Sequence, residues 1–340
     1  MKYSDFIENF ADDLQVEFEE RGKKIKVEVV EVDKPWGNEI GLMFDGGSNV
    51  RPVIYPKKQY EYHEEGMNYF MIVNEMVNEV EKALNDAPVQ FDFDLTTRKD
   101  TITIQLINTE VSRNYLLDKP HRNVEDLSII YRLNTSLRDG SNGSSVITNG
   151  MMELMGMNEN ELFELAMEKA PLNRECTIKN IHEVLNGLIP DEADEIPKAP
   201  LIVVSNDEGF HGAGSIMYPG VLEKCADVMN GDFYILPSSQ HEVLLVFKEA
   251  EVDLYNLKSM VRDINDTVLK PEEFLSNNVY HYDSTEKVFE IADKYVARMQ
   301  EKEKHSVLGS LKEKQHDVIN NSHFRRSQDI GSRKVKGLSL

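Results

Sequence analysis

Residues 201–247 read LIVVSNDEGFHGAGSIMYPGVLEKCADVMNGDFYILPSSQHEVLLVF, and the order of apolar runs and breaks in this stretch decides the fold class. Leu201–Ser205 is a short apolar run rich in β-branched residues, which reads as a strand. Ser215–Tyr218 reads as a second, short strand, Val221–Met229 as a helix, and Phe233–Leu236 and Glu242–Phe247 as two more strands. Beyond them Leu254, Leu257, Val261 and Ile264 recur at helical spacing from Asp253 onward. The expected order is β-β-α-β-β-α, which predicts an α+β fold: mainly antiparallel sheets with helices packed on one face.

Upstream, Phe6, Phe10, Leu14 and Phe18 recur every four residues and predict a helix over 4–18, with Ser4 placed to cap it. Ile25, Val27 and Val29 alternate with Lys24, Lys26 and Glu28, the period of a half-buried strand. Strands are expected at 38–44 and 51–55 around an Asp45-Gly46-Gly47-Ser48 turn. A helix is expected over 60–85 on a face of Phe70, Val73, Val77, Val80 and Leu84. Ile102, Ile104 and Leu106 predict another strand, and 127–133 and 144–148 two more. Asn158 and Glu161 have capping-box spacing ahead of Leu162 and Leu165, and a further helix is expected over 178–188. The acidic, proline-bounded stretch 189–197 reads as a linker. A last strand is expected at 279–283, with Ser284 opening a helix. The division expected from these patterns is an N-terminal α+β domain over 1–110, a C-terminal α+β domain over 111–283, and a helix followed by a flexible basic tail over 284–340.

The 340 residues carry a net charge of −22, unevenly spread. Residues 304–340 hold eight Lys/Arg and three Asp/Glu, so the remainder stands at −27. Such a body repels nucleic acid, whose affinity for basic proteins is largely electrostatic, and leaves the tail as the one segment suited to it. An acidic surface suits protein partners or nucleic-acid mimicry. No apolar run approaches the roughly 18 residues of a membrane span, and Cys176 and Cys225 lack the spacing of a redox or zinc pair. These features predict a soluble cytoplasmic protein with buried thiols, with no cofactor, no metal and no membrane association.

His-Glu dipeptides occur at 63–64, 182–183 and 241–242, but Met67, Asn186 and Leu245 stand where a zinc protease helix needs its second histidine. Gly209–Gly214 lacks phosphate-loop spacing and reads as a hairpin loop. The segment richest in chemistry is Ser238-Ser239-Gln240-His241-Glu242, between two expected strands. One reading makes His241 a general base for a Ser238 or Ser239 nucleophile, with Glu242 orienting the ring, in a hydrolase or transferase. Against it, neighbouring strand residues point to opposite faces, and Pro-Ser-Ser is ordinary turn chemistry. A second candidate cluster is His121 with Arg122, suited to an anion.

Three stretches carry a family likeness: Pro120–Leu127 leading into Ile130-Tyr131-Arg132, Ile147-Thr148-Asn149 ahead of Glu161-Leu162, and Met217–Gly220 through Asp232–Ser239 to His241-Glu242-Val243. Together they resemble an uncharacterised bacterial domain-of-unknown-function family, number five-six-eight-eight, of gut anaerobes and their mobile elements. The resemblance spans nearly the whole chain to about residue 283. It implies the setting of a mobile element and transfers no catalytic residue. The function expected is that of an accessory or binding protein.

Overall fold

The helical stripe at the start of the chain builds the first layer. In the computed structural model, which describes residues 1–47, 51–86, 95–136, 142–185, 201–248 and 253–305, helix α1 (Tyr3–Glu20) buries Phe6, Phe10, Leu14 and Phe18. Its cap position is Lys2, without a side-chain cap, and Ser4 lies inside the first turn, bonding Asp5 instead. Strands β1 (Lys26–Lys34) and β2 (Gly37–Asp45) pair from Lys26 opposite Asp45 to Lys34 opposite Gly37, around a Pro35-Trp36 turn. Strand β3 (Val53–Ile54) pairs with β2. Two helices, α2 (Lys57–Glu64) and α3 (Tyr69–Asp86), replace the single helix expected over 60–85. Gly66, at φ 85° in the left-handed region, separates them. The inward face of α3 runs through Ile72, Val73, Met76, Val77 and Val80, and Phe70, expected on it, is 67 % exposed. A step of one residue rotates a side chain by about 100°, which takes Phe70 off the stripe anchored by Tyr69. Leu42 and Phe44 of β2 close this core against α1 and α3.

The second sheet is built on β4 (Ile102–Asn108), all seven of whose residues are buried. It pairs with β6 (Leu127–Ser136), whose other edge carries β5 (His121–Val124) and then β7 (Asn142–Val146). A strand buried along its whole length is covered on both faces, here with Thr103, Gln105 and Asn108 among the buried residues. Helix α4 (Asn149–Leu154), capped by Thr148, and α5 (Glu159–Asn173) follow. The expected capping box is present in both directions, Asn158 Oδ1 accepting from Glu161 N at 3.1 Å and Glu161 Oε2 from Asn158 N at 2.9 Å.

The third sheet is antiparallel, in the order β12 (Tyr280–Asp283), β10 (Phe233–Leu236), β11 (Val243–Phe247), β9 (Ile202–Asn206) and β8 (Cys176–Asn180). Strand β8 (Cys176–Asn180) and the short α6 (Ile181–Leu185) occupy the place of the helix expected over 178–188. Cys176, Thr177 and Ile178 pair with Asn206, Ser205 and Val204 of β9 (Ile202–Asn206), and this pairing overrides a weak helical pattern. The expected strand Ser215–Tyr218 is instead part of a 3₁₀ helix, Gly212–Met217. The Ser215 hydroxyl closes that turn by donating to Gly212 O and Ser205 O, both at 2.8 Å. The observed order is therefore β9, 3₁₀ helix, α7 (Val221–Met229), β10 (Phe233–Leu236), β11 (Val243–Phe247), α8 (Leu254–Thr267) and β12 (Tyr280–Asp283). The α+β class and the antiparallel pairing stand. The linker expected at 189–197 and the tail beyond 305 lie outside the described residues.

The chain divides into two units, Met1–Val288 and Phe289–Leu340. Ser284 does not open a helix; its N–H and hydroxyl donate to Asp232 Oδ1 at 2.9 and 2.8 Å. Strand β13 (Val288–Ile291) runs into the second unit, where helix 292–305 follows and Arg298 Nε donates to Glu290 Oε1 at 2.9 Å. Within the first unit the second and third sheets are tied by side chains. Asp126, in the β5–β6 turn, accepts from Ser276 Oγ at 2.7 Å, Asn278 Nδ2 at 3.0 Å and Tyr280 Oη at 2.7 Å. No described helix is long and apolar enough to cross a membrane.

Candidate functional site

The loop 237–242 is held by its own turn chemistry. Ser239 N donates to Glu242 O at 3.2 Å, and Ser239 Oγ accepts from His241 N at 3.0 Å, an arrangement in which a serine mimics the backbone. Ser238 Oγ lies 3.5 Å from Glu242 Oε1, so the carboxylate faces the serine and not the imidazole.

Segment 207–217 crosses over this loop. Asn206 Nδ2 donates to Phe210 O at 2.9 Å, and His211 sits in the left-handed region at φ 55°. From there the His211 N–H points at His241 Nδ1, 3.2 Å away. A ring nitrogen that accepts a hydrogen bond carries no proton, so neutral His241 bears its hydrogen on Nε2. The two imidazoles lie parallel, centroids 6.0 Å apart and planes 6° from each other. The exposed Phe210 ring lies 3.9 Å from His211 and 5.4 Å from His241.

The crossing is tight. A Cβ on Gly212 would stand 2.1 Å from Ser205 Oγ, 2.5 Å from His241 O and 2.7 Å from Asn206 N. Ser205 Oγ itself donates to His241 O at 2.8 Å. Beneath the loop a polar relay joins the two sheets. Arg132 Nε donates to Ser144 Oγ at 2.9 Å and its Nη1 to Gln105 Oε1 at 2.8 Å. Gln105 Nε2 donates to Gln240 Oε1 at 2.6 Å, and Gln240 N to Glu273 O at 2.8 Å. Gln240 Nε2 bonds Glu272 O as well. Gln105 and Gln240 are both buried, so this chain of satisfied partners fixes the loop in one place.

Burial first, then Arg132, the neighbouring His241 imidazole and Arg174, push the His211 imidazole down to about 2. His211 is therefore neutral across physiological pH, in a locally positive setting within an acidic chain. Burial pushes the Cys176 thiol up, away from the reactive thiolate form. The hydroxyls of Ser205 and Ser215 donate to main-chain oxygens. The cluster presents polar recognition groups and one exposed aromatic ring, without an imidazole-bound hydroxyl among its described bonds.

His121 and Arg122 lie elsewhere in the second sheet. His121 Nδ1 bonds Lys119 O at 2.8 Å, and Arg122 Nη2 donates to Asn160 Oδ1 at 2.7 Å with its guanidinium 3.8 Å from the Phe163 ring centre. No described contact joins them to the 238–242 loop. Sequence reasoning missed His211, Gln105 and Arg132, and it named Gln240 only as part of the 238–242 segment. Only His211 carried a local signal, as the one imidazole inside the glycine-rich stretch 209–214. Among the described residues no group of three or more His, Cys, Asp or Glu side chains could hold a metal ion.

Neither the curated proteins nor the solved structures hold a match to this chain. A family model does, covering residues 3–284 and with them every part of the loop, the relay and the crossing segment. The chain belongs to DUF5688, a family of unknown function.

Proposed function

We propose that this protein is a non-enzymatic binding protein that recognises a protein partner through the Phe210–His211–His241 cluster. One observation carries the reading. His241 Nδ1 accepts the His211 N–H while Glu242 faces Ser238, so the relay that a serine hydrolase or transferase needs is not assembled. What remains is a rigid, polar recognition surface with an exposed aromatic residue, the kind of group that anchors interfaces. The cellular setting belonging to this reading is the bacterial mobile element that the family resemblance implies, and any contact with nucleic acid falls to the basic tail.

The test has two arms. A fluorophosphonate probe, which labels activated serines, should leave Ser205, Ser215, Ser238 and Ser239 unmodified. A photo-crosslinking phenylalanine at position 210 should capture a discrete cellular protein, and the same group at exposed Lys58 should not. Labelling of Ser238 or Ser239 that disappears in His241→Asn would overturn the proposal in favour of the enzyme.

A further inference from the structure

We propose that the outer edge of β1 is a strand-addition site for an extended peptide carrying alternate basic residues. This site is separate from the Phe210 cluster, and the inference does not depend on the reading of that cluster.

Strand β1 is the outermost strand of its sheet, in the order β1-β2-β3. Which of its amides face outward follows from two bonds. Val27 N donates to Gln15 Oε1 at 2.9 Å, so it points away from β2. Its partner across the ladder, Phe44, donates its N–H to Pro52 O at 2.9 Å, away from β1. Val27 and Phe44 are thus a pair without mutual hydrogen bonds, and antiparallel ladders alternate. Val29, Glu31 and Asp33 follow at the same parity, so each aims an N–H and a C=O at the open edge. All three are exposed.

The first rung is already closed. Gln15, from α1, donates through Nε2 to Ile25 O at 3.3 Å and accepts from Val27 N, so its carboxamide takes the place of a neighbouring strand. Beyond it no described strand covers the edge, and the next three rungs lie in a line. Natural sheets blunt such edges with charge, and here the charges also select the partner. Glu31 and Asp33 would flank the incoming strand on one face, and Val30 and Val32, half-buried, on the other. An entering peptide with Lys or Arg at alternate positions and apolar side chains between them matches both faces. The surrounding segment 1–86 adds to the attraction, with 19 acidic and 10 basic residues. A second copy of β1 fits less well. With Gln15 closing the first rung, symmetric pairing through all three open rungs centres on Glu31 and sets it against itself.

The test uses the full chain and a short fluorescein-labelled peptide in which Lys alternates with Val, followed by fluorescence anisotropy. Binding should weaken at least ten-fold when the peptide's central amides are N-methylated, which removes its edge donors and leaves its charge. Glu31→Pro should weaken it comparably with an unchanged melting temperature, because the lost N–H faces away from β2 and edge strands accept proline there. The pair Glu31→Lys and Asp33→Lys should switch preference to a Glu-Val peptide. If Glu31→Pro unfolds the chain, the N-methylated peptide decides alone. Equal binding of the N-methylated peptide would overturn the proposal, showing charge attraction without strand pairing. So would absence of peptide binding, with or without self-association of the chain.

Discussion

Gly212→Ala tests whether the crossing of segment 207–217 over the 238–242 loop is as tight as its geometry implies. The backbone at Gly212 lies outside the left-handed region, so the substitution meets no conformational strain; only space is at issue. The new methyl would stand 2.1 Å from Ser205 Oγ, 2.5 Å from His241 O and 2.7 Å from Asn206 N. Ser205 could rotate away, but only by giving up its bond to His241 O, worth about 1 kcal/mol. The other two atoms are backbone, in β9 and in the 237–242 loop that leads into β11, and cannot move without disturbing the strand and the loop. Overpacking of this kind costs roughly 1–3 kcal/mol, so the total is about 2–4 kcal/mol. At roughly 2–4 °C per kcal/mol for a unit of this size, the melting temperature should fall by about 4–16 °C. Urea unfolding followed by circular dichroism measures the change, with a lower midpoint at an unchanged slope. A variant within about 0.5 kcal/mol of the parent would refute the close approach, and with it the claim that the two segments form one rigid cluster.

Two further outcomes follow from charge. His211 should show no imidazole titration by NMR between pH 8 and pH 5. Because its folded pKa lies near 2 against 6.5 when unfolded, the unfolded chain binds the extra proton between these values. Stability should therefore fall as pH drops below about 6.5, by up to about 1.4 kcal/mol per unit from this group. A His211 midpoint near 6.5 would remove this contribution. Asp126→Asn replaces a carboxylate that accepts three hydrogen bonds by an amide with a single acceptor oxygen, and the loss should be about 2–4 kcal/mol by urea unfolding. A loss under 1 kcal/mol would mean that the β5–β6 turn and residues 276–280 are held together by packing alone.

Much of the fold was legible because it is written in local periodicity. The four-residue recurrence of Phe6, Phe10, Leu14 and Phe18, the alternation along β1, and the Asn158–Glu161 box each describe groups that meet within one element, where spacing alone decides which side chains share a face. The composition of residues 238–242 likewise marked them as a place of interest. Tertiary structure decided the rest. Cys176–Asn180 is a strand because β9 lies beside it, and Ser215–Met217 is helical because its serine hydroxyl finds Ser205 O across the chain. The pairing of His211 with His241 depends on a left-handed residue and on a glycine with no room for a side chain. Gln105 and Gln240 are 135 residues apart in sequence, and Asp126 reaches partners still further along. Such contacts leave no periodic trace, since a hydrogen bond constrains only the two atoms that make it, and which residues supply them is set by how the sheets come together.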